Sequence, residues 1–227
     1  MAGTLFIVAT PIGNLEDITY RAVRVLKEAE AIYAEQPNVT KRLLQHYNIS
    51  TRPVKLNQHA DGRAMGRVIA ALKQGKNIAY VSSAGTPGIS DPGEKLVGSV
   101  RDALADTVTI TPIPGPSAVI ALAQVAGVPV DRFYFAGFPP HKKGRQKFFN
   151  DFAQRNEPII FYESPHRIKK SLHALLEILG EERRVLIGRE ITKKFEEFFS
   201  GTLREAELWV ADSGARGEYV ILIERER

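Results

Sequence analysis

The chain has 227 residues, of which 44% are apolar and 25% charged, the balance of an ordinary folded protein rather than a disordered or fibrous one. It has no cysteine, which excludes disulfide scaffolds, Cys-ligated zinc, iron–sulfur clusters and thiol nucleophiles. The formal net charge of +5 suits a polyanionic partner without naming one.

The apolar run Leu5–Ala9 ends in Thr10-Pro-Ile-Gly-Asn14, which predicts a buried strand running into a turn. Asn14 is placed to cap the next helix, with Asp17 near its positive end. Ile18, Ala22, Val25, Leu26 and Ala29 recur on one helical face. A second strand is predicted over 31–35 and a short helix over 39–47. Met65, Val68, Ile69 and Leu72 mark another helix, followed by a strand over 77–82. A long Gly/Pro loop follows, and Asp91-Pro92 reads as a helix start whose inner face is Leu96, Val97, Val100 and Leu104. A fourth strand is predicted over 108–113.

The uncharged stretch 107–130 is long enough to span a bilayer, but Pro112, Pro114, Pro116 and Pro129 interrupt it, so it reads as strand, turn and buried helix. The first residues lack the positive leader and layout of a signal peptide, and a cytoplasmic protein with no membrane association is expected. In the second half, strands are predicted over 133–137, 158–162, 184–188, 195–200 and 219–223. Helices are predicted over 144–154, 165–179 and 202–210. The first half therefore reads as α/β with a mostly parallel sheet, and the second as α/β with a mixed sheet containing an antiparallel pair.

Three Gly/Pro loops follow predicted strands: 10–14, 82–93 and 112–118. Ligands of open α/β sheets bind beyond the carboxyl ends of strands, where turns expose N–H and C=O groups. None of the loops is GxGxxG or GxxxxGK[ST], and neither HExxH nor GxSxG occurs. His46, His59, His141, His166 and His173 show no metal spacing, so no metal is expected. The segment His141-Lys-Lys-Gly-Arg-Gln-Lys147 carries four lysines and arginines and no acid, a pattern that engages phosphates. Glu35 and Glu163, at predicted strand ends, are the candidate catalytic bases.

Taken in order, VATPIGNLEDIT (8–19), SAGTPGISDPG (83–93), PIPGPSA (112–118), GFPPHKKGR (137–145), FYESPHR (161–167), REITKKFEE (189–197) and GEYVILIE (217–224) resemble the tetrapyrrole methylase superfamily of S-adenosylmethionine methyltransferases. Within it they are most similar to the branch that methylates the 2′-oxygen of a cytidine ribose in the decoding region of 16S rRNA. The resemblance implies two α/β domains, 1–115 and 116–227, with S-adenosylmethionine folded into the cleft between them, in a homodimer acting on the small ribosomal subunit. It implies donor contacts at Pro11, Ile12, Gly13, Ala84, Gly85, Thr86, Pro87, Ile89, Ser117, Ala118, Tyr162, Gly217 and Glu218. Lys142, Lys143, Arg145, Lys147, Arg167, Arg189 and Lys193 become RNA contacts.

The sequence departs from the superfamily pattern in three places. Ala34-Glu-Gln-Pro-Asn38 stands for the usual Ala-Glu-Asp-Thr-Arg, Val81-Ser-Ser-Ala-Gly85 for Val-Ser-Asp-Ala-Gly, and Asn57-Gln-His-Ala60 for His-Glu-His-Asn. Two alternatives stay open: a small-molecule methylase of the precorrin kind, and a non-catalytic RNA-binding assembly factor with a decayed site.

Overall fold

The structure, a computed structural model, describes residues 2–56, 62–212 and 214–226. The departure at Asn57–Ala60 lies outside the described residues. The chain divides into two units, Met1–Ser117 and Ala118–Arg227.

The first unit alternates β1 (Thr4–Val8), α1 (Tyr20–Glu28), β2 (Ala31–Ala34), α2 (Pro37–His46), β3 (Pro53–Lys55), α3 (Gly62–Lys73), β4 (Ile78–Val81), α4 (Gly93–Leu104) and β5 (Thr109–Ile113). The strand order is β3-β2-β4-β1-β5, and every pairing is parallel. A parallel sheet covered on both faces needs apolar side chains on both. Val8, Ile32, Ala34, Ala79 and Val81 pack with Ala22 and Leu26 of α1 on one face. Leu5, Tyr33, Ile78 and Tyr80 pack with Leu72 of α3 and Val100 of α4 on the other. This is the two-residue period of a strand written into both cores. Because β4, β1 and β5 are neighbours, the three loops that leave their carboxyl ends emerge side by side.

Some boundaries differ from the sequence expectation. Asn14 caps only a single 3-10 turn at Leu15–Asp17, taking a hydrogen bond from the Glu16 N–H, and α1 is capped instead by Thr19, whose Oγ1 accepts from the Ala22 N–H at 3.1 Å. Thr19→Ala is accordingly expected to lower stability by about 1 kcal/mol, read by thermal or urea unfolding. The carboxylate of Asp91 accepts from the N–H groups of Gly88 and Gly93 at 2.7 Å each, so it folds the preceding loop, and α4 begins at Gly93. The strand β3 was not expected: it is three residues long, two of them exposed, and carries no apolar pattern.

The second unit contains α5 (Ala118–Gln124), β6 (Tyr134–Gly137), α6 (Arg145–Asn150), β7 (Ile159–Glu163), α7 (Ile168–Leu179), β8 (Arg184–Arg189), β9 (Glu197–Thr202), α8 (Leu203–Asp212) and β10 (Tyr219–Ile223). Its order is β6-β7-β10-β8-β9. Only β6–β7 is parallel; β7–β10, β10–β8 and β8–β9 are antiparallel, three such pairs where one was expected. Phe149, Phe152, Phe161, Leu172, Leu175, Val210 and Ile221 form its main core. The helical segment expected over 144–154 is α6 followed by a 3-10 turn at Asp151–Gln154, and α7 starts three residues later than expected. The uncharged stretch 107–130 divides between β5 and α5, and among the described residues no helix is long and apolar enough to cross a membrane.

Candidate functional site

In the first unit the three Gly/Pro loops are tied to one another by hydrogen bonds. The Thr10 N–H donates to the Gly85 carbonyl at 2.9 Å, and the Gly85 N–H returns a bond to the Thr10 carbonyl at 3.0 Å. Thr86 Oγ1 donates to the Pro116 carbonyl at 3.0 Å, joining the second loop to the third. A Cβ on Gly115 would lie 2.9 Å from the Ala9 Cβ, and one on Gly85, at φ +75°, 3.2 Å from Ile12 Cγ2. Glycine is therefore required where the loops converge.

The expected donor residues Pro11, Ile12, Gly13, Ala84, Gly85, Thr86, Pro87, Ile89 and Ser117 all belong to these loops. Beside the Thr10–Gly85 bridge, the buried hydroxyl Thr10 Oγ1 has no hydrogen-bond partner among the described residues. Close-packed main chain with an unused buried hydroxyl fits a ligand that is bound through ribose, amino-acid and base edges, as S-adenosylmethionine is.

Glu35 follows β2, half-buried. Its Oε2 accepts from the Ser83 N–H at 3.1 Å and from Ser83 Oγ at 2.5 Å. Ser83 is thus the partner of this carboxylate. Sequence reasoning noted it only as a departure; Ser83 lies two residues beyond the end of β4, and only the β2–β4 pairing brings it to Glu35.

In the second unit burial pushes the pKa of the Tyr162 hydroxyl up to about 12. The Tyr162 ring centroid lies 5.2 Å from that of Phe135 and 5.0 Å from that of Phe138. Gly217 adopts φ +82°, and a Cβ there would sit 2.4 Å from Glu190 Cγ. The Glu218 N–H donates to Glu190 Oε1 at 2.9 Å, and Lys193 Nζ bonds both Glu190 and Glu218 at 2.8 Å. Burial pushes the Lys193 ammonium down, but these two carboxylates outweigh it and hold the pKa above its usual value.

The seven cations expected to meet RNA fall into two groups. Lys142, Lys143 and Lys147 are exposed. Arg189 pairs with Glu197 at 2.5 Å over the Trp209 ring, and Lys193 is taken by its two carboxylates. Arg145 and Arg167 turn inward to Glu163. Arg145 Nη2 lies 3.2 Å from Glu163 Oε2, and Arg167 Nε 2.9 Å from Oε1. Ser171 Oγ donates to Glu163 Oε2 at 2.5 Å. The Glu163 carboxylate is thus enclosed by two guanidiniums and a hydroxyl. Ser171 was missed; its signal is the four-residue recurrence Glu163, Arg167, Ser171.

The profile of the family described as Tetrapyrrole (Corrin/Porphyrin) Methylases matches residues 4–207. The chain is similar to a ribosomal RNA small subunit methyltransferase I of Halalkalibacterium halodurans, 45% identical over 98% of this chain and 76% of that one. It is also similar to a protein of the same name from Pseudomonas aeruginosa, 44% identical over 98% of this chain and 79% of that one. Among solved structures, diphthine synthase superposes with a TM-score of 0.74 at 14% identity, covering 98% of this chain and 90% of that one. A cobalt precorrin-4 methyltransferase superposes at 0.70 with 17% identity, covering 97% and 94%. These two likenesses speak for the fold alone.

Proposed function

The chain belongs to the tetrapyrrole (corrin/porphyrin) methylase family, and on that premise we propose that it methylates the 2′-oxygen of a cytidine ribose in the decoding region of 16S rRNA, with S-adenosylmethionine as methyl donor. The observation that carries this reading is the identity of 43–45% over 98% of the chain with proteins named ribosomal RNA small subunit methyltransferase I. Against it, the precorrin-type alternative has 17% identity to the cobalt precorrin-4 enzyme.

When bound, S-adenosylmethionine supplies an electrophilic methyl on a positively charged sulfur. The chain's own task is to grip the donor, align the ribose hydroxyl and take up its proton. Alignment of this kind is worth roughly 7–11 kcal/mol in well-oriented systems. The loops at 10–13, 84–89 and 115–117 offer main-chain groups for the grip. The same proposal assigns further donor contacts to Ala118, Tyr162, Gly217 and Glu218. Glu35 is the proposed base: it ends beside these loops, half-buried, and a positioned base adds about 10²–10⁴-fold. Lys142, Lys143 and Lys147 are the proposed phosphate contacts. Homodimer formation and residence in the cytoplasm belong to the same proposal and are supported by the resemblance.

The departures Gln36, Asn38 and Ser83 favour the alternative of a decayed, non-catalytic site, but their charges change together. Two carboxylates and one arginine are absent, and the Ser83 hydroxyl serves Glu35 in place of a second acid. Ser83→Asp alone would set two carboxylates within hydrogen-bond distance. It is expected to lower activity about tenfold through like-charge repulsion, with recovery when Asn38→Arg is added. A decayed site predicts a gain from Ser83→Asp. The donor half of the proposal is tested by isothermal titration: saturable binding of S-adenosylhomocysteine is expected, and none at millimolar ligand would contradict it.

A further inference from the structure

Glu163 ends β7 with its side chain 0% exposed, while its partners Arg145 and Arg167 are 18% and 17% exposed. A buried ion cluster adds little stability over a well-packed apolar one, so its value is sought in what it specifies. Both arginines reach past Glu163 to the turn that precedes the basic loop. Arg167 Nη1 donates to the Pro139 carbonyl at 2.9 Å, and Arg145 Nη1 to the Pro140 carbonyl at 3.4 Å. Ser171 Oγ, donating to Glu163 Oε2 and accepting from Arg145 Nη2, fixes the first turn of α7 to the same point.

Neither 138–150 nor 164–176 contains an acidic residue; the next acids, Asp151 and Glu177, are exposed at the far ends of these segments, and Glu207 of α8 meets α7 at His173. Lys142, Lys143 and Lys147 on one segment and Lys169 and Lys170 at the start of α7 are all exposed, and α6 packs against α7. We propose that Glu163 is a positioning residue, acting through Arg145 and Arg167 to hold the Pro139–Pro140 turn and α7 so that these five lysines form one surface for RNA phosphates. The inference rests on the rRNA reading above and adds to it Lys169, Lys170 and a role for Glu163 other than that of a base.

The test uses the full chain, small ribosomal subunits lacking the modification, and three proteins: wild type, Glu163→Gln and the double variant Lys169→Ala/Lys170→Ala. For Glu163→Gln the expected result is a KM for subunits raised about tenfold or more, with kcat within about threefold and S-adenosylhomocysteine affinity unchanged. The double variant, at the surface and independent of folding at the node, is expected to reduce the slope of log K against log salt by about 1.5. A fall in kcat at unchanged KM would place Glu163 at the reacting atoms and overturn the inference. A parallel loss of KM, kcat and donor affinity would reduce its role to structure and also overturn it, as would an unchanged salt slope in the double variant. Wild-type protein without salt-dependent binding to subunits would overturn the rRNA reading itself.

Discussion

Gly85→Val is expected to raise the dissociation constant for S-adenosylhomocysteine at least about 100-fold, a loss of about 2.7 kcal/mol. Gly85 is where the three loops of the first unit meet: it exchanges two main-chain hydrogen bonds with Thr10, and its missing Cβ leaves room for Ile12 and the Pro116 carbonyl. Its φ of +75° costs an L-residue about 1–2 kcal/mol, and more for a β-branched one. A valine must relieve that strain and the 3.2 Å approach to Ile12 by moving the loops apart, so the main-chain donors and acceptors are displaced together. Gly85→Ala carries the strain without the extra methyls and should lose about tenfold. Titration calorimetry reads both; donor affinity within twofold of wild type in the valine variant would show that these loops do not hold the donor.

The second large effect is on stability. Arg145→Ala should cost about 2–3 kcal/mol, below the 3–5 typical of a buried pair that loses one partner, because Arg167 stays on Glu163 Oε1. The guanidinium also bonds Ser171 and lies 5.0 Å over the Phe149 ring, contacts that alanine removes as well. Lys142→Ala, on the same basic segment but exposed, should stay within about 0.5 kcal/mol of wild type. Urea unfolding separates the two. Equal losses for Arg145 and Lys142 would mean that Arg145 is as solvated as its neighbours.

That contrast marks the limit of what the sequence reveals. Lysine and arginine in HKKGRQK look alike as charge, and only the fold shows which of them turns inward. Buried apolar runs such as Ile78–Val81 and Tyr219–Ile223 were legible as strands. A strand buried on both faces reads the same in parallel and antiparallel sheets, so a mixed sheet with one antiparallel pair was legible in the second unit, but not that it has three such pairs. The donor loops were legible because glycine and proline punctuate strand ends. Their mutual bonds were not, since Thr10, Gly85 and Pro116 are distant in sequence and meet only through the order β4-β1-β5. Thr19 competed with Asn14 for the same cap, and propensity alone could not rank them.

The most direct measurement is transfer of a tritiated methyl group from S-adenosylmethionine to small subunits lacking the modification, followed by alkaline hydrolysis of the 16S rRNA. A methyl on the 2′-oxygen removes the nucleophile that cleaves the adjoining phosphodiester. The account predicts label in an alkali-resistant dinucleotide whose first nucleoside is 2′-O-methylcytidine. Label released in a mononucleotide, or donor binding with no label in RNA, would contradict it.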